Sequence, residues 1–154
     1  MSFKAMGIAS PLSENRVRWD PVAGLPEVWC ATLETAYRPG SGLSAFLHCV
    51  RPNERDVSIR VHLRFGMVPA YWRTEDHVDP WLSSSELRPK LGNANQNLPL
   101  LEVRPSSWLA SFAPGLLLER SGLQWRHFEI VSSDAIFHVV STEELTTGYF
   151  IDVD

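Results

Sequence analysis

His127, Glu129 and His138 fall inside one short stretch, WRHFEIVSSDAIFHVV (Trp125–Val140). Two imidazoles and a carboxylate are a set that binds a transition metal, or that works as acid and base near neutral pH. The stretch reads as two strands joined by a polar turn. With Ser132-Ser133-Asp134-Ala135 as that turn, Val131 opposes Ile136, Glu129 opposes His138 and His127 opposes Val140. One face then carries His127, Glu129, Val131, Ile136 and His138. The other carries Arg126, Phe128, Ile130, Phe137 and Val139, and it is the core face with Arg126 at its rim. Same-face neighbours along a strand stand roughly 6–7 Å apart, wide for a ligand set. A cross-strand Glu–His pair is also an ordinary contact worth about 0.2–1 kcal/mol. The spacing therefore favours a structural pair on the wet side of a sheet, with no catalytic residue, metal ligand or cofactor assigned. A small enzyme or metal-binding domain using His127, Glu129 and His138, with His62 in support, is the alternative.

A second group lies in YWRTEDHVDPW, where Tyr71 and Trp72 precede Glu75, Asp76, His77 and Asp79, and Trp81 follows. The carboxylates lack the spacing and the glycine of an EF-hand. Aromatic anchors beside acids in an irregular segment suit a protein-binding epitope. Tyr71, Trp72, Glu75, Asp76, Asp79 and Trp81 are the expected partner-binding residues. The competing reading has the tryptophans pinning the segment to the core. A third group, Arg60, His62 and Arg64, lines the polar face of VSIRVHLRF. That face reads as solvated, with a contact strip for an acidic partner as the sharper alternative.

Other chemistry is missing. The chain has no GxSxG, HExxH, P-loop or GxGxxG. Cys30 and Cys49 match no zinc or CxxC pattern and are expected to be buried free thiols of a cytoplasmic protein. A net charge of −4 argues against nonspecific binding to nucleic acid or an anionic membrane. No apolar run approaches the ~20 residues of a membrane helix, and the start lacks the apolar core of an export signal.

These groups need elements to hold them. The 154 residues, 44% of them hydrophobic, fit a single domain. Met1 to Asn15 reads as a loose leader. VWCATLETAY and LSAFLHCV, separated by RPGSG, form a hairpin. VSIRVHLRF alternates strictly and is a half-buried antiparallel strand. From Phe65 to Leu98 the period is lost, and Ser83 to Ser85 offers an N-cap for a short helical turn near Ser84–Leu87. LPLLEV is a strand, and Ser106 or Ser107 caps a short helix that ends near Pro114. GYFIDVD is a last edge strand. The sum is an α+β chain, mostly antiparallel sheet, with six or seven strands and one or two short helices.

The C-terminal run SSWLASF…RHFEIVSSDAIFHVVSTEE resembles the tail of small bacterial immunity proteins from polymorphic-toxin systems. Trp108 lies in the short helix, His127 and Phe128 in the first strand, and Asp134, Val139 and Val140 in the turn and second strand. The resemblance covers the last third of the chain. It implies inhibition of a cognate toxin by direct binding, without cofactor or catalysis. An accessory subunit or a phage-encoded inhibitor fits the same features.

Overall fold

A computed structural model describes residues 14–51, 54–75, 99–112, 123–133 and 135–153. Nine strands run in the order β1 (Asn15–Arg18), β2 (Trp29–Arg38), β3 (Gly42–Arg51), β4 (Glu54–Phe65), β5 (Ala70–Glu75), β6 (Leu100–Arg104), β7 (Arg126–Val131), β8 (Ala135–Ser141) and β9 (Thr146–Val153). Among the described residues a four-residue helix, α1 (Ser107–Ala110), follows β6. The strands form two antiparallel sheets, β1-β6-β7-β8-β5 and β2-β3-β4-β9.

Alternation sets the inner faces. Along β4, Ile59, Val61, Leu63 and Phe65 are buried while Arg60 and Arg64 are exposed. Leu43, Ala45, Leu47 and Cys49 do the same along β3. The turn between β2 and β3 depends on Gly40 and Gly42, both at positive φ. A Cβ on Gly42 would also collide with the Phe65 carbonyl oxygen. The inner faces of both sheets meet in one apolar cluster. Trp19, just after β1, stacks on Phe128 of the first sheet at 4.0 Å and on Phe65 of the second at 5.9 Å. The sheets are also tied at the free edge of β2, where Ser133 N–H donates to the Cys30 carbonyl and Arg73 Nη1 to that of Leu33, both at 3.0 Å.

The mostly antiparallel fold follows the reading of the sequence, but the described residues hold nine strands rather than six or seven. The two unforeseen ones are β1 and β5. In β1 the polarity is inverted: Arg16 is buried and Val17 exposed, because Arg16 has a buried acid to meet. The strand also takes in Asn15, the last residue assigned to the leader. In β5 both Tyr71 and Trp72 are partly exposed on opposite faces of an edge strand, so no period shows. The helical turn expected near Ser84–Leu87 and the helix end expected near Pro114 lie outside the described residues. Among the described residues, no helix is long and apolar enough to cross a membrane.

Candidate functional site

The β7–β8 register is the one the turn length implies: Glu129 faces His138, Val131 faces Ile136 and His127 faces Val140. Ser132 closes the turn, its Oγ donating to the Ala135 carbonyl at 2.9 Å. The expectation of a wet face is overturned. His127, Glu129 and His138 are only 4%, 1% and 2% exposed, and Leu101, Val103, Ile136 and Val140 are buried on the same side. At β6, β7 and β8 the five-stranded sheet is buried on both faces.

Two distant segments complete this second interior. From β1, Arg16 forks onto Glu129, its Nε donating to Oε2 at 2.8 Å and its Nη2 to Oε1 at 2.7 Å. From the start of α1, Ser106 reaches His127 Nδ1 at 2.7 Å while its Oγ accepts the Leu109 N–H at 2.9 Å. Between them, His127 Nε2 and His138 Nδ1 are 2.9 Å apart, and His138 Nδ1 is 3.6 Å from Glu129 Oε1. The carboxylate beside it favours a proton on His138 Nδ1. His138 then donates to His127 Nε2, and His127 donates from Nδ1 to Ser106. Trp72 lies flat on His138 at 4.1 Å, and Trp108 of α1 meets His127 edge-on at 5.0 Å. Ser107 also donates to Glu14, which holds α1 to the segment leading into β1.

Burial first, and then the neighbouring His138 and Arg16, push the His127 imidazole down to about 3. It is neutral at neutral pH. The nitrogen and oxygen atoms that could ligate a metal lie within 4.8 Å of one another. A tetrahedral zinc with ligands at about 2.0–2.2 Å needs its ligand atoms roughly 3.3–3.6 Å apart. Both Glu129 oxygens are held by Arg16, and the two imidazoles face each other at hydrogen-bond distance. As arranged, the group is a closed chain of hydrogen bonds.

The aromatic residues of the second group part company. On the inner side of β5, Tyr71 is 46% exposed and touches Tyr37 of β2 at 5.6 Å and Phe137 at 5.8 Å. On the outer side, Trp72 is 38% exposed and covers His138. Glu75 ends β5; Asp76, His77, Asp79 and Trp81 lie outside the described residues. Tyr37, absent from the sequence expectation, joins Tyr71 only because the two sheets meet there. Cys30 and Cys49 face each other across β2 and β3 as buried free thiols.

The third group sits on the outer face of the four-stranded sheet. Arg60 and Arg64 are exposed there. His62 lies between Phe46, stacked at 4.6 Å, and Tyr149, edge-on at 5.2 Å.

The chain matches no protein-family model, no curated protein and no solved structure.

Proposed function

We propose that this chain is a non-enzymatic binding protein that neutralises a cognate protein toxin by direct contact, in the manner of bacterial immunity proteins. The observation that carries the reading is a contrast in exposure. The side chains fit for chemistry, His127, Glu129 and His138, are sealed and bonded to one another, while large aromatic side chains face solvent at a sheet edge. Tyr37 and Tyr71 form a paired aromatic surface there, and in the sequence Glu75, Asp76, Asp79 and Trp81 follow Tyr71 within ten residues. Aromatic anchors of this kind are the common form of a protein-binding hot spot. Free buried thiols suit a reducing cytoplasm.

The test uses the product of the gene adjacent to this one, purified and titrated with the chain in a calorimeter. The expected result is a 1:1 complex that Tyr71→Ala with Asp79→Ala weakens by at least about tenfold. Co-expression of the wild-type chain should also protect cells from that product. No complex, or a complex indifferent to both substitutions, would refute the reading.

A further inference from the structure

The outer face of the four-stranded sheet is ordered in rows across the strands. Glu34, Phe46, His62 and Tyr149 are directly paired neighbours from β2 to β9. The next row on one side is Thr32, His48, Arg60 and Ile151; on the other it is Ala36, Ser44, Arg64 and Thr147. A central band of rings is thus flanked by an arginine above and below. Tyr149 and Ile151 are 58% and 50% exposed, and a shallow depression of about 250 Å³ opens between the rings and Arg60. Within it, His62 Nε2 is shielded from solvent and has no hydrogen-bond partner among the described residues.

Two features say what this face takes. The first is charge. Arg38, Arg60 and Arg64 stand on the face against Glu34 alone among the described side chains, in a chain whose net charge is −4. The second is the edge. β9 is the last strand of its sheet, eight residues long. On the other edge, β2, Ser133 and Arg73 take the carbonyls of Cys30 and Leu33. Among the described residues no strand pairs with the outer edge of β9, and an edge strand bearing exposed apolar side chains is a template for another strand.

We propose that β9 and the ring band beside it form a docking surface for an extended acidic segment of a protein partner. Its main chain pairs with the edge of β9. Its outward side chains follow the rows: an apolar residue beside Tyr149, and acids beside Thr147 and Ile151, where the long side chains of Arg64 and Arg60 reach them. This surface lies on the other sheet from Tyr71 and does not depend on the toxin-binding reading.

The probe is a fluorescein-labelled twelve-residue peptide (about 40 Å extended) of repeating Glu-Thr-Val-Thr, with a Lys-for-Glu peptide, a poly-thymidine strand and sedimentation of the chain alone as controls. The expected result is saturable binding of the Glu peptide that weakens with salt. Arg60→Glu with Arg64→Glu should weaken it at least about tenfold, Tyr149→Ser likewise, and Tyr71→Ala should leave it unchanged. Backbone NMR shifts on adding the peptide should concentrate in residues 58–64 and 146–153, a readout that holds even if one variant folds poorly. Failure of the Glu peptide to bind, or equal binding of the Lys peptide, overturns the proposal. So does tighter binding of the poly-thymidine strand, which would make nucleic acid the occupant. So does a dimer dissolved by Tyr149→Ser, which would make a second copy the occupant.

Discussion

At the scale of single residues, His127 is the most informative side chain. Its imidazole sits at about 3 in the folded protein against an unfolded value near 6.5. Between those values the unfolded chain binds a proton there that the folded chain does not. Stability from this group is therefore complete above about pH 6.5 and declines as the pH falls toward 3, by roughly 1.4 kcal/mol per pH unit at most. Urea unfolding at pH 7.0, 6.0 and 5.0 should show wild-type stability falling along that slope. His127→Gln should be less stable at pH 7 and show a shallower slope, and identical slopes would contradict the assignment. The meeting of His127, Glu129 and His138 was legible in the sequence, because a four-residue turn fixes which strand positions oppose. Their burial was not, because the groups that bury them come from elsewhere. Arg16 is 113 residues from Glu129 in sequence, and Trp72 and Trp108 belong to other elements.

At the scale of elements, β1 and β5 carry the lesson. β4 was readable because one face meets core and the other meets water. β1 was not, since its buried position holds a cation and its exposed one a valine. The Arg16–Glu129 fork fastens β1 into the far side of the sheet through side chains 4% and 1% exposed. Arg16→Ala leaves Glu129 buried without its counter-ion and should cost about 3–5 kcal/mol in chemical denaturation. Arg16→Met combined with Glu129→Met removes both charges and should recover most of that loss. If the double variant is as unstable as the single one, the charged pair is needed for more than mutual neutralisation. β5 was hidden for a different reason: an edge strand that exposes aromatics on both faces has no hydrophobic period to read.

At the scale of the whole molecule, two interiors divide the labour. The apolar one between the sheets holds the fold together around Trp19, Phe65 and Phe128. The polar one, outside the five-stranded sheet, locks β1, α1, β7 and β8 through Arg16, Glu129, His138, His127 and Ser106. The two surfaces proposed above to bind partners, the Tyr37–Tyr71 edge and the ring band beside β9, lie outside both interiors. The most direct test of this division compares two variants in one titration against the adjacent gene's product, each with its thermal melt. Tyr71→Ala should lose affinity by at least about tenfold with little change in Tm, while His127→Gln should lower Tm and leave affinity intact. The reverse pattern, with His127→Gln abolishing function in a protein as stable as wild type and Tyr71→Ala silent, would make the buried chain the working site.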